Sequence, residues 1–127
     1  MSTKLILSIR GLTKKYKALG REILVLDNIS FDIGEEFIAI LGPSGCGKST
    51  LLRIIAGVEK PDSGIVEFHL GREPRVGFVF QSPTLLPWMT VLDNVALPLL
   101  ARGTGESEAR EKARRALTLV GLGEFED

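Results

Sequence analysis

Apolar and polar residues alternate along the first third of the chain, which is typical of strands that bury one face. Leu5 to Leu12 and Ile23 to Ile33 are predicted strands, and a basic turn from Lys14 to Arg21 joins them. Gly34-Glu35 is predicted to turn the chain into the apolar run Phe37 to Leu41. This continuous run predicts a buried strand.

One helix and two further strands are predicted before residue 81. The run Leu51 to Ala56 predicts the helix, and Gly57 is suited to a left-handed cap at its end. A turn at Lys60 to Gly64 leads to a strand whose apolar residues alternate with polar ones. In that strand His69 is expected to face solvent, and the apolar run Val76 to Phe80 predicts the next strand.

The character of the chain changes after Gln81, from β-rich to helical. A proline-broken loop, residues 82–88, leads to Thr90, which is expected to cap a helix from Val91 to about Leu97. A second helix is predicted from about Ser107 to Val120, with an apolar face and two i,i+4 ion pairs. The predicted face comprises Ala113, Ala116, Leu117 and Val120, and the predicted pairs are Glu108–Lys112 and Glu111–Arg115.

Composition excludes some classes of partner. The chain has 127 residues with 16 basic and 16 acidic side chains, so no nucleic-acid partner is expected. A single cysteine, Cys46, excludes an internal disulfide and is consistent with a reducing compartment. No signal peptide is expected, since the apolar stretch Leu5-Ile6-Leu7 is too short. The longest apolar run, Val95 to Ala101, contains a proline and cannot span a bilayer.

The segment Gly42 to Thr50 matches the phosphate-binding pattern G-x-x-x-x-G-K-[ST] in full. It lies between a predicted strand and a predicted helix, which is the context that the motif requires. The glycines let successive backbone N–H groups turn inward, and the helix N-terminus favours an anion. The predicted binding residues are Gly42, Pro43, Ser44, Gly45, Cys46, Gly47, Lys48, Ser49 and Thr50.

Three side chains of this loop have predicted roles toward a nucleoside triphosphate. Lys48 places a point charge at the β- and γ-phosphates. The Ser49 hydroxyl suits Mg²⁺, which prefers oxygen ligands. Thr50 can donate to the α-phosphate. Cys46 is expected to be a small loop residue, although its position beside the lysine would favour a reactive thiolate.

With these motifs in order, the chain resembles the nucleotide-binding subunit of ABC transporters. Four features carry the resemblance: Tyr16 before the loop, the loop itself, the helix and turn from Leu52 to Gly64, and Val79-Phe80-Gln81. The resemblance implies an α/β fold, a phosphate-loop NTPase of ABC type. Its parts would be an antiparallel β subdomain with an incomplete RecA-like core over residues 1–81 and the start of a helical subdomain over residues 82–127.

The resemblance also implies roles and partners. Tyr16 would stack on the adenine of ATP, and Gln81 would contact Mg²⁺ and the attacking water. The expected catalytic residues are therefore Lys48 and Gln81. The expected metal ligands are Ser49 and Gln81. The partners would be a transmembrane permease subunit and a second copy of the chain. The expected location is cytoplasmic, peripheral on the inner face of the plasma membrane.

The segment Leu85 to Val95 looks most like importers of the nitrate, sulfonate and taurine type. That resemblance would place Trp88 near the groove that receives a helix of the membrane subunit. The same apolar residues, Leu85, Leu86 and Trp88, are equally consistent with the core of a helical subdomain.

The 127 residues contain no L-S-G-G-Q signature loop, no strand ending in Asp-Glu and no switch histidine of the family. We therefore expect the N-terminal part of a longer subunit, which binds nucleotide weakly and hydrolyses it negligibly. Without further strands, Phe37 to Leu41 would present an unpaired apolar edge. Two alternatives stay open: a non-transport ABC-type ATPase acting on nucleic acid or the ribosome, and a module that binds nucleotide without cleaving it.

Overall fold

A computed structural model describes residues 3–127, which form two compact units, one up to Val79 and one from Phe80. The first unit contains strands β1 (Leu5–Ala18), β2 (Arg21–Gly34) and β3 (Ser63–Phe68) and helix α1 (Lys48–Ile55). The second unit contains helices α2 (Val91–Ala101) and α3 (Glu106–Leu119). Within residues 3–127, no helix combines the length and the apolar character that crossing a bilayer requires.

The sheet of the first unit is antiparallel, in the order β2-β1-β3. The β1–β2 hairpin is longer than predicted, because the lysine-rich segment continues β1 and only Leu19-Gly20 turn. Both turn residues have positive φ, 51° and 72°, as a two-residue hairpin turn requires. The predicted basic turn from Lys14 to Arg21 is therefore wrong, since two residues suffice for the reversal and Lys14 to Lys17 pair with β2.

The core of the first unit lies between the sheet and α1. Apolar side chains of both strands of the hairpin and of α1 are buried there: Leu7, Ile9, Leu12, Leu26, Leu51 and Ile54. The predicted alternation in β2 is confirmed, because Ile29, Phe31 and Ile33 are half-buried while Ser30 and Asp32 are exposed.

Three further predictions up to residue 80 are wrong. No strand is assigned to Phe37–Leu41 or to Val76–Phe80, which lie outside the three-stranded sheet. A strand forms only against a neighbouring strand, so an apolar run alone does not make one. His69 does not face solvent freely: its Nε2 lies 2.9 Å from the hydroxyl of Ser8, which is buried. That hydroxyl also bonds to Asp32 and, with Arg10, lowers the pKa of the Asp32 carboxyl.

In the second unit the Thr90 cap is confirmed, since its Oγ1 accepts from the Asp93 amide at 3.1 Å. Helix α2 continues past Leu97 to Ala101, because Pro98 removes only one intrahelical donor and the helix extends by a further turn. Asn94 stabilises the preceding loop by bonding to both the amide and the carbonyl of Leu86.

The apolar face of α3 differs from the predicted one. The buried residues are Ala109, Ala113 and Leu117, at a spacing of four, and they contact α2. Ala116 and Val120 are exposed, because the buried face of α3 consists of residues four apart and is narrower than the predicted apolar face. The two ion pairs are confirmed, with nitrogen–oxygen distances of 2.5 Å for Lys112–Glu108 and 3.1 Å for Arg115–Glu111. The first pair lowers the pKa of Glu108.

Candidate nucleotide-binding site

The loop before α1 has a backbone that only glycine adopts readily. Gly45 and Gly47 have φ values of 79° and 98°. A side chain at Gly47 would begin 2.8 Å from the Val25 carbonyl oxygen of β2 and 3.0 Å from the side chain of Leu26. A side chain at Gly42 would begin 2.8 Å from the Cys46 sulfur. Glycine at position 47 thus allows a close approach to the β2 backbone that a Cβ would prevent, whereas a Cβ at position 42 would displace the Cys46 side chain.

The N-terminus of α1 is open toward this loop. Gly47 is the N-cap residue and provides no side-chain cap, and the first turn contains no acidic residue. The first intrahelical bond runs from the Leu51 amide to the Gly47 carbonyl at 2.9 Å. The amides of Lys48, Ser49 and Thr50 therefore have no intrahelical acceptor, and they add to the positive end of the helix dipole. This donor set fits a phosphate group.

The Lys48 ammonium lies over the loop. Its Nζ donates to the carbonyl oxygens of Gly42 and Pro43, both at 2.7 Å, and lies 3.4 Å from the Cys46 sulfur. Carbonyl oxygens carry only partial charge, so a phosphate oxygen is a stronger acceptor for this ammonium. The structure brings the charge and the helix amides to the same loop, as the motif predicts.

Tyr16 lies next to the end of the motif. Its hydroxyl oxygen is 3.4 Å from Oγ1 of Thr50, which is buried, while Ser49 is exposed. The same hydroxyl donates to Glu59 Oε1 at 2.5 Å, and Lys14 Nζ lies 5.3 Å from the centre of the ring. Sequence reasoning gave Glu59 and Lys14 no role, because Lys14 lay in a predicted turn, Glu59 lay between a predicted helix and a turn, and no motif marks either residue.

Gln81 and Trp88 belong to the second unit. Gln81 is exposed, and its roles toward metal and water stay predictions. Trp88 and Leu85 are 77% and 70% exposed. Leu86 between them is half-buried, so the segment combines one packed apolar side chain with an exposed aromatic one.

Comparison with known proteins shows what the chain as a whole is similar to. A family model described as ABC transporter matches residues 26–127. The chain is 44% identical, over 98% of its length, to the uncharacterized ABC transporter ATP-binding protein MJ0412 of Methanocaldococcus jannaschii, and covers 48% of it. It is 42% identical, over 94% of its length, to the taurine import ATP-binding protein TauB of Pseudomonas aeruginosa, and covers 47% of it.

A solved structure gives the same result for the fold. The dimeric, post-hydrolysis form of the ATP-binding cassette MJ0796, bound to ADP and Pi, superposes with a TM-score of 0.83 at 34% identity. The superposition covers 95% of this chain and 60% of that one. The chain spans about half the length of the first curated relatives it matches. Its fold is that of part of an ABC-type ATP-binding cassette.

The two glycines of positive φ in the loop provide a matched test of the geometry. Gly47→Ala should destabilise the chain by more than about 2 kcal/mol, because left-handed strain of about 1–2 kcal/mol is joined by the contact with β2. Gly45→Ala should cost only the strain, since nothing lies within 4 Å of the added carbon. Urea unfolding followed by circular dichroism measures both, and equal losses would contradict the close approach at Gly47.

Proposed function

The chain belongs to the ABC transporter family, and from that premise we propose that it binds ATP with Mg²⁺ through Tyr16 and the loop Gly42 to Thr50. The observation that carries the proposal is the open N-terminus of α1 behind a glycine loop, with the Lys48 ammonium over that loop. Several charge-assisted bonds of about 1.5–3 kcal/mol each provide the affinity.

Each part of the nucleotide has a proposed partner. The loop and α1 amides bind the phosphates, and Lys48 exchanges its carbonyl acceptors for β- and γ-phosphate oxygens. The exposed Ser49 hydroxyl and the phosphate oxygens are the proposed ligands of Mg²⁺ in the first unit. Tyr16, whose hydroxyl lies 3.4 Å from Thr50, presents its ring to adenine.

The wider role we propose is that of the ATP-binding subunit of an importer. Relatives named for the import of taurine, of sulfate or thiosulfate, and of aliphatic sulfonates are 42%, 44% and 46% identical to the chain, which supports a small oxyanion of this chemistry as the transported class. The partners are a transmembrane permease, contacted through Trp88, and a second copy of the chain, a proposal that the dimeric cassette supports. Such a subunit works at the cytoplasmic face of the plasma membrane.

Hydrolysis by the 127 residues alone is proposed to be negligible. The sequence supplies Lys48 and Gln81 but no second acidic strand end and no signature loop. A positioned acid or base contributes typically about 10²–10⁴-fold, and a group supplied across an interface about 10³–10⁵-fold.

Calorimetry with ATP and with tripolyphosphate tests the site. Lys48→Ala should weaken both ligands about tenfold or more, since it removes charge-assisted bonds to phosphate. Tyr16→Ala should weaken ATP by about 1–3 kcal/mol and leave tripolyphosphate unchanged, because only the base stacks. Lys15→Ala, which removes an exposed lysine paired with Glu22, is the charge control. Unchanged ATP affinity in both site variants would refute the assignment.

Phosphate release under saturating Mg-ATP tests the catalytic proposal. The 127-residue chain should release phosphate no faster than its Lys48→Ala variant, because both lack the groups that polarise water. Turnover well above that of the Lys48 variant would show that these residues suffice, and would exclude a role limited to binding.

Co-purification with the cognate permease tests the partner. Trp88→Ala should lower the retained fraction about tenfold or more if the exposed indole is an anchor of the interface. Leu119→Ala removes an equally exposed apolar side chain, 87% exposed on α3, and should have little effect. Retention of RNA or DNA in place of a membrane protein would favour the non-transport ATPase instead.

A further inference from the structure

A carboxylate outside the phosphate-loop motif, Glu59, contacts the predicted base-stacking residue directly. It accepts the hydroxyl of Tyr16 at 2.5 Å. Its side chain is 20% exposed, less than any other acid that forms an ion pair within residues 3–127. Glu59 is therefore a partly desolvated hydrogen-bond acceptor. A hydrogen bond to its charged carboxylate is stronger there than it would be at the fully exposed surface.

The end of α1 determines where Glu59 lies. Gly57 has a φ of 75°, and its amide bonds to the Ile54 carbonyl at 3.0 Å while the Val58 amide bonds to that of Arg53 at 2.9 Å. This is the Schellman arrangement, which reverses the chain directly after the helix. The Glu59 amide also reaches the Arg53 carbonyl at 3.3 Å, so the residue returns alongside the helix that begins at the phosphate loop.

Two cations hold the carboxylate from different elements. Arg53 NH1 on α1 lies 3.7 Å from Oε2, and Lys14 Nζ on β1 lies 3.5 Å from Oε1. Lys14 also donates to the Lys60 carbonyl at 2.9 Å. The carboxylate of Glu59 thus connects strand β1, which carries Tyr16, to helix α1, which carries the phosphate-binding amides.

These contacts set the orientation of the Tyr16 ring. The hydroxyl is held by Glu59 and lies 3.4 Å from Thr50, and the Lys14 ammonium is placed 5.3 Å from the ring centre. A flat ring that is already oriented loses less conformational freedom when a base stacks on it. Removal of the carboxylate would free the Tyr16 hydroxyl from its acceptor and remove the ion-pair partner of both cations, while Lys14 would keep its bond to the Lys60 carbonyl.

We infer that Glu59 is a positioning residue for nucleobase stacking. Through its bond to the Tyr16 hydroxyl it fixes the orientation of the ring on which the purine stacks. The inference rests on the proposed function, because it concerns the base half of the same site. The Glu59 carboxylate contacts Tyr16, Lys14 and Arg53, which lie outside the loop Gly42 to Thr50, so its effect should appear in the preference for ATP over tripolyphosphate. Affinity for the polyphosphate alone serves as the internal reference, since loss of a negative charge strengthens the binding of any polyanion nearby.

The sequence offers a direct probe, because Tyr16 is the only tyrosine. Replacement by 3-fluorotyrosine gives the chain one fluorine resonance, which reports the ring in every variant that keeps the residue. ATP should shift this resonance through the ring current of adenine, and tripolyphosphate should shift it little. Glu59→Ala should move the free-state resonance and reduce the shift caused by ATP.

Calorimetry gives the corresponding affinities. Glu59→Ala should lower the ratio of ATP affinity to tripolyphosphate affinity about three- to tenfold. Complete loss of base stacking would lower this ratio roughly five- to 150-fold, so the expected effect is a part of the stacking contribution. Glu59→Gln keeps an acceptor oxygen and should restore part of the ratio. In a Tyr16→Phe background, which keeps the ring without its hydroxyl, Glu59→Ala should cause no further loss.

Glu22→Ala is the matched control, since Glu22 lies on the same hairpin and pairs with Lys15 at 3.7 Å without contacting Tyr16. It should leave the resonance and the ratio unchanged. An unchanged ratio in Glu59→Ala, or an equal loss in the Tyr16→Phe background, would overturn the inference while ATP binding stands. Failure of ATP to bind the unsubstituted chain would instead overturn the proposed function.

Discussion

The close approach of Gly47 to β2 is the constraint on which the candidate site depends. A Cβ at this position would begin 2.8 Å from the Val25 carbonyl oxygen, and the φ of 98° would strain any other residue. Because the loop lies against the hairpin at this point, α1 begins at Lys48 with its first amides open to the loop. The same hairpin carries Tyr16, so one backbone contact relates the phosphate end of the site to the base end.

Polar contacts hold the two side chains that are proposed to bind the nucleotide, Lys48 and Tyr16. The Lys48 ammonium donates to the carbonyls of Gly42 and Pro43, which keeps its charge at the loop. At the other end, Glu59 holds the Tyr16 hydroxyl and is itself held by cations from β1 and α1. Because the Lys48 ammonium and the Tyr16 ring are held by these contacts, little conformational entropy of either side chain is lost when a nucleotide binds.

The local geometry of the loop could be predicted from the sequence better than the sheet around it. The motif Gly42 to Thr50 encodes its own geometry, since glycine spacing, helix start and lysine all lie within nine residues. The prediction of a strand at Phe37 to Leu41 was wrong, because strand formation depends on a neighbouring strand that the local sequence does not specify. Glu59 was missed for the same reason: its contact with Tyr16 spans 43 residues, and no local pattern marks it. The α3 face was only partly right, because its packing against α2 selects a spacing of four.

The central claim is that the loop and α1 bind the triphosphate through Lys48 and the open amides. A crystal structure of the chain with Mg²⁺ and a non-hydrolysable ATP analogue tests it most directly. The account predicts that Lys48 Nζ leaves the carbonyls of Gly42 and Pro43 for the β- and γ-phosphate oxygens, with adenine on the Tyr16 ring. A structure in which Lys48 keeps both carbonyls while the nucleotide binds elsewhere would contradict it.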